Sequence, residues 1–365
     1  MGGPSLDERI HFDRPLNPHG YQWWYVDVIS EDQSFALSII IFVGHVFSPF
    51  YFKARQKDLK RSADQKIKAN LERQANQERQ ADRETLNGLP ENFCAFNISL
   101  HALNKTAKKA LGCPSIWVLN EYCTQQVKEH SDLIQRESNK FTINQSVWQQ
   151  NHDELIIDIN ERTKPFFQRM PKTLCGQVRI KLPKRFNHEL KLDKAAKHSW
   201  MAIAPSAVAT VHLFEPKLSF SGHAYHDTNW GQEPLESAFK SWTWSRTELS
   251  QGTCVLYDIA EHEETSNPKA LFFGHDGQVK DIAQNFTPTH LPNGIWKVKR
   301  PNRADSPEVL SLQHTLLDSP FYTRDLVNTE LLGEKALSMY ESLDLIRFKQ
   351  SWVRFLLPFR IRRHR

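Results

Sequence analysis

The chain has 365 residues, 39% of them hydrophobic and 24% charged, with 47 Lys and Arg against 42 Asp and Glu for a net charge of +5. These values exclude a wholly disordered chain, a collagen and a coiled-coil fibre, and leave a globular protein of two domains or one large all-β domain. Five cysteines (Cys94, Cys113, Cys123, Cys175 and Cys254) at long, irregular gaps and without a CxxC pair argue against a disulfide framework and a zinc ribbon.

Residues 1–18 carry Asp7, Glu8 and Arg9 and no apolar core, so they do not read as a secretory signal. Residues 21–29 and 35–47 are rich in β-formers and flank the polar 30–33, the pattern of a hairpin; the second run is too short and too polar to span a bilayer. Residues 53–87 change texture, with Leu59, Ile67 and Leu71 as a thin helical stripe among Lys, Arg, Gln and Glu. That stretch reads as a charged, partly helical insertion away from the chemistry. Short strand-like runs follow at 94–100, 115–121, 140–148, 154–160 and 176–182, then at 207–214, 217–223, 241–248, 253–258, 270–273, 294–298 and 309–315. Many short strands and few helices predict an all-β sandwich or barrel protein, with one domain at 10–192 and a second at 193–346.

The remaining residues, 347–365, hold seven Lys or Arg and no acid, which leaves a nearly neutral body of 40 basic against 42 acidic residues. Trp352, Val353, Phe355, Leu356, Leu357, Phe359 and Ile361 interleave with that charge. A basic amphipathic tail of this kind suits peripheral contact with an anionic membrane. No zinc finger, helix-turn-helix or ribonucleoprotein motif accompanies it, so nucleic acid is not the expected partner.

The densest polar and aromatic cluster is 221–231, followed by Phe239, Trp242, Trp244 and Arg246. If 221–227 is extended, His223, Tyr225 and Asp227 share one face and His226 the other; by the same period His198 and Trp200 share a face. Metal binding through His223, His226 and Asp227 suffers from that alternation, and no HExxH occurs. There is no GxSxG and no glycine-rich phosphate loop, so neither a serine hydrolase nor a nucleotide enzyme has a positive sign. A bland alternative is a hydrogen-bonded turn with Gly222 and Gly231 as backbone devices.

Taken together, His198 and Trp200 ahead of Ile203-Ala-Pro205, the run Gly222-His-Ala-Tyr-His-Asp-Thr-Asn-Trp-Gly231, Phe239-Lys-Ser-Trp-Thr-Trp-Ser-Arg246, and the C-terminal 341–348 and 352–360 resemble the carotenoid 1,2-hydratases, also called hydroxyneurosporene synthases. Gly20-Tyr-Gln-Trp-Trp-Tyr25 and Val46-Phe-Ser-Pro-Phe50 fit as well. The resemblance implies two lipocalin-like halves that hydrate the terminal 1,2 double bond of an acyclic carotenoid such as neurosporene or lycopene, with no cofactor. It also implies a catalytic set of Asp227, His198, Trp200 and Tyr225. The sequence departs from the family pattern in the length of 53–87 and in Trp230, where a smaller aromatic is expected.

Hydration of an unactivated trisubstituted alkene needs an acid to protonate C2 and leave a tertiary cation at C1, and a carboxylic acid kept neutral by an apolar site supplies that proton. Asp227 is the candidate acid, Trp200 and Tyr225 offer π-faces to the cation, and His198 would orient the water or take its proton. A hydrocarbon substrate places the protein peripherally on the cytoplasmic side of the inner membrane. A polyene isomerase or cyclase, and a carotenoid or lipid carrier without chemistry, are the rival expectations.

Overall fold

The computed structural model describes residues 7–71, 86–123, 133–164, 170–182, 185–262 and 267–364. Among the described residues of the first two thirds, twelve strands form: β1 (Tyr21–Ser30), β2 (Phe35–Val43), β3 (Cys94–Ala102), β4 (Ser115–Tyr122), β5 (Ile134–Arg136), β6 (Lys140–Ile143), β7 (Ser146–Gln150), β8 (Glu154–Arg162), β9 (Thr173–Lys181), β10 (Glu189–Lys191), β11 (His198–Glu215) and β12 (Leu218–Gly231). They run in the order β4-β3-β2-β1-β12-β11-β9-β8-β7-β6-β5, with β10 on β11, as an open antiparallel sheet. A smaller sheet follows, made from β13 (Phe239–Leu249), β14 (Gly252–Glu261), β15 (Asn267–Gly274) and β16 (Val279–Asp281). After the hairpin β17 (Thr287–His290) and β18 (Pro301–Ala304), it is completed by β19 (Ser311–Asp318), β20 (Tyr322–Leu331) and β21 (Glu334–Asp344) in the order β16-β15-β14-β13-β21-β20-β19. A last strand, β22 (Arg362–His364), returns to the large sheet and pairs in parallel with β4.

The alternation of β1 explains why two sheets stack. Trp24, Val26 and Val28 point into a core enclosed by the curl of the large sheet, against Phe141, Ile157 and Val178. The other parity, Trp23 and Tyr25, points outward into a second core shared with Trp242, Trp244 and Tyr257 of the small sheet. Both faces of β1 are therefore apolar, which is why its ten residues are all buried and why it reads as a near-continuous hydrophobic run.

The expected pair of lipocalin-like barrels does not form as two closed units. Tyr21 to Ser30 pair with Gly231 to Gly222, so the N-terminal hairpin and the β11–β12 hairpin are neighbours in one open half-barrel sheet. For the same reason the expected division at 192/193 does not separate the sheets: β11 and β12 lie beyond it in sequence and near the middle of the large sheet. The expected strand at 294–298 is instead irregular with a turn at Ile295 and Trp296.

The charged insertion begins as helix α1 (Pro49–Leu71), and its 72–85 part lies outside the described residues. Its first turns are anchored rather than solvated. Arg55 is buried, pairs with Glu236 at 2.6 Å and packs over the Tyr51 ring, while Asp58 accepts from the backbone N–H of Asn87 and Gly88. The basic tail is also more engaged than its composition implies. It forms two short helices (Leu345–Phe348 and Ser351–Leu356) that bury Leu345, Phe348 and Val353. Arg347 donates to the carbonyls of Trp296 and Pro320, Arg354 lies over the Phe52 ring and Arg363 over Phe50. Among the described residues no helix is long and apolar enough to cross a membrane.

Candidate active site

The two longest strands of the large sheet build the site. β11 and β12 pair so that Ala202 lies opposite Asp227 and Trp200 opposite Asn229. The two-residue period of β12 aims Tyr225, Asp227 and Asn229 at the small sheet, and Trp200 of β11 reaches the same space. Trp200 Nε1 donates to Asp227 Oδ2 at 2.7 Å and Tyr225 Oη donates to the same oxygen at 2.8 Å. Asp227 Oδ1 has no protein partner among the described residues, although it is buried.

Burial drives the Asp227 pKa up to about 8, with the negative charges of Glu341 and Asp27 adding to the rise and the bonds from Trp200 and Tyr225 opposing it. Asp227 is therefore a neutral carboxylic acid at pH 7. Because Oδ2 already accepts two hydrogen bonds, the acidic proton belongs on the free Oδ1.

Asp227 lies on the wall of a pocket between the sheets, of about 1060 Å³ counted to its open mouth. Trp23, Tyr25 and Phe42 of the large sheet and Trp242, Trp244 and Tyr257 of the small one give it an aromatic lining. Trp244 stands 5.2 Å from the Tyr225 ring and 5.4 Å from that of Tyr25, and Tyr257 accepts from Asn229 Nδ2 at 3.1 Å. A second polar group shares the wall: Arg324 Nε donates to Glu341 Oε1 at 2.7 Å, and the guanidinium lies 5.5 Å from the Tyr25 ring centre. Leu357, Arg360 and Ile361 of the tail also line the pocket.

The family model "Carotenoid hydratase CrtC" matches residues 83–365. Acyclic carotenoid 1,2-hydratase of Thiocapsa roseopersicina is 34% identical over 99% of this chain and 78% of its own length. The chain belongs to the carotenoid hydratase family. The enzymes of the same name from Rubrivivax gelatinosus (31% identical, 96% of this chain and 75% of that protein) and Rhodobacter capsulatus (31%, 89% and 97%) agree. Among solved structures, an AttH protein from Nitrosomonas europaea has a TM-score of 0.54 at 10% identity, covering 94% of this chain and 97% of that one. CghA has a TM-score of 0.52 at 11% identity, covering 90% and 89%. At such identities these two share the lipocalin-like fold alone.

Of the four residues singled out in the sequence of this hydratase, three meet and one does not. Asp227, Trp200 and Tyr225 form one hydrogen-bonded unit. His198 shares a strand face with Trp200 but sits a further step along the sheet, opposite Gly231, and makes no hydrogen bond to the Asp227 unit. Its Nδ1 bonds Tyr21 Oη at 2.8 Å, its ring packs on Phe239, and burial lowers its pKa to about 4. Two residues along a strand separate side chains by about 7 Å, so His198 stands one such step from Trp200. His223 is exposed, and His226 points into the other core, bonded to the Tyr25 carbonyl and to Gln150. Among the described residues no group of three or more His, Cys, Asp or Glu is arranged to hold a metal.

Sequence reasoning missed Tyr25, Tyr257, Arg324 and Glu341 as pocket residues. Their parity along each strand was readable, but the pairing of Tyr25 with Asp227 and of Arg324 with Glu341 comes from contacts some 200 and 17 residues apart in sequence.

Proposed function

We propose that this hydratase adds water across the terminal 1,2 double bond of an acyclic carotenoid such as neurosporene or lycopene, with Asp227 as the acid. The observation that carries this reading is a buried carboxyl on the wall of an aromatic-lined pocket, with one oxygen held by Trp200 and Tyr225 and the other without a protein partner among the described residues, where desolvation favours the neutral acid. In the reaction the Asp227 O–H bond breaks, the alkene π pair forms the C2–H bond, and a tertiary cation is left at C1. The ring faces of Tyr25, Trp244 and Tyr257 supply the negative quadrupoles that suit such a cation, and the new Asp227 carboxylate stays fixed by Trp200 and Tyr225. Exclusion of bulk water by the same aromatic walls keeps the acid protonated before the reaction and limits the cation to the water that the pocket admits. His198 acts as a positioning residue, holding the start of β11 through Tyr21 so that Trp200 meets Asp227.

The test is mass spectrometry of pigment extracted after incubating the purified protein with lycopene in liposomes, without additions, beside the Asp227→Asn variant. A gain of about 18 Da, one water, that disappears in the variant supports the assignment. Unchanged mass with a rearranged absorption spectrum points to an isomerase or cyclase, and unchanged pigment that stays bound to the protein points to a carrier; either outcome overturns it.

For the membrane contact we infer a docking face around the pocket mouth, committed to an anionic bilayer. Ile295, Ile346 and Phe355 are exposed, Trp352 stacks on Trp296 at the surface, and Leu357 and Ile361 continue from there into the pocket. Lys349 and Arg360 add exposed positive charge beside that face. Such a surface joins the hydrocarbon interior to the site without a water crossing. Replacing Trp352 and Phe355 together by Ser is expected to lower the protein's partition onto phosphatidylglycerol-containing vesicles with the circular-dichroism spectrum unchanged. Undiminished binding of that variant would rule this face out.

A further inference from the structure

His198 bonds Tyr21 rather than the Asp227 unit, and the pocket lining holds another candidate base for the water. Glu341 lies on β21, opposite Arg324 of β20 and opposite Trp244 of β13, and all three line the cavity from the small sheet. Asp227 lines it from the large sheet. An alkene end bound between the sheets therefore has the acid on one side and the Glu341 carboxylate on the other. Next to this pair stands Tyr25, the register partner of Asp227. Tyr25 lines the pocket, its ring is flanked by Trp244 and Arg324, and its hydroxyl is buried and lacks any protein partner among the described residues. A buried hydroxyl of this kind on a pocket wall calls for a water or a ligand atom as its partner.

We propose that Glu341, fixed by Arg324, is the general base for the attacking water and that Tyr25 Oη holds that water for attack at C1. This rests on the hydratase reading above. Arg324 offsets the charge of Glu341, so the carboxylate is kept in place in a largely apolar cavity without presenting a net cation to the developing carbocation. The balance is complete with water alone. The water oxygen forms the C1–O bond, its proton passes to Glu341, and the product leaves as a neutral tertiary alcohol. Glu341 then releases its proton to solvent and Asp227 takes one up, so each cycle consumes one water and no other reagent.

The test separates protonation of the alkene from capture of the cation. In D2O, purified protein is incubated with lycopene in liposomes, and both the hydrated product and the recovered substrate are weighed. The wild type is expected to give hydrated product. Glu341→Gln is expected to lose about 100-fold or more in hydration rate, yet to return substrate enriched in deuterium. The reason is that Asp227 still delivers a deuteron to C2 and the uncaptured cation reverts by losing a proton. Tyr25→Phe, which removes an atom with no protein partner and so threatens folding little, should show a smaller loss of hydration with the same enrichment. Asp227→Asn should show neither hydration nor enrichment. Hydration at the wild-type rate in Glu341→Gln or in Tyr25→Phe, or loss of hydration without deuterium enrichment in the recovered substrate, overturns the proposal. Absence of hydrated product from the wild type itself would instead strike the hydratase reading on which it depends.

Discussion

Asp27 and Arg246 form a buried ion pair that ties the two sheets together: Arg246 Nε, on β13, donates to Asp27 Oδ1 at 2.9 Å, on β1, and its Nη2 reaches the same oxygen. Both side chains are almost fully buried, and the carboxyl lies one register step from Asp227, with Asp27 opposite Tyr225. Removing one partner leaves the other charge uncompensated in the interior. Asp27→Ala is expected to destabilise the protein by about 3–5 kcal/mol, and Asp27→Leu combined with Arg246→Met to be less damaging than the single change. Urea unfolding curves compare the two.

The raised pKa of Asp227 has a stability consequence whose sign is opposite to that of a salt-bridged carboxylate. Below its ordinary value of 3.8 the group is protonated in both the folded and the unfolded chain and contributes no difference. Between 3.8 and about 8 the unfolded chain has released the proton and the folded one has not, so folding becomes less favourable as pH rises through that window. The full effect is on the order of 5 kcal/mol. Asp227→Asn is therefore expected to be inactive yet more stable than the wild type at pH 8, with a gap in melting temperature that shrinks toward pH 4. A gap independent of pH would contradict this.

Activity should follow the same ionisation. With the protonated acid as the active form, kcat/KM is expected to fall above about pH 8, where Asp227 loses its proton. Tyr225→Phe removes a hydrogen bond that favours the charged carboxylate, so the alkaline limb should move to higher pH even as the rate declines. A limb that moves to lower pH would show that Tyr225 acts on something other than the carboxylate.

Gly231 ends β12 where Tyr21 and His198 converge. A Cβ at this position would collide with the Tyr21 ring and with His198 Nδ1, both of which are buried and hydrogen-bonded to each other. Gly231→Ala is expected to lower stability and to disturb the start of β11. Thermal unfolding, with indole fluorescence as the probe, measures the first effect and kcat the second.

Much of the site was legible in the sequence because it is local. Tyr225 and Asp227 are two residues apart, so a strand period alone puts them side by side, and Trp200 and Asp227 occupy strands joined by a short hairpin turn. His198 shows the limit of the same rule. Sharing a face with Trp200 did not bring it to the acid, because distance along the strand counts as well as parity. The expected pair of barrels failed for a different reason: β-texture is visible residue by residue, whereas the pairing of β1 with β12 across some 200 residues is decided by which apolar faces meet. Tyr25, Arg324 and Glu341 were hidden by that same long-range choice.

The acid and its hydrogen-bond partners stand on one sheet, and Trp242, Trp244 and Tyr257 close over the site from the other. Before the sheets close on each other, Asp227 is an ordinary solvated carboxylate that ionises near 3.8 and cannot protonate an alkene. Docking of β13, β14 and β21 against β1 and β12 strips that water away, so the proton affinity that makes the chemistry feasible depends on contact between strands far apart in the chain. A half-assembled chain could hold a pigment loosely against its exposed aromatic face, but it would be chemically silent.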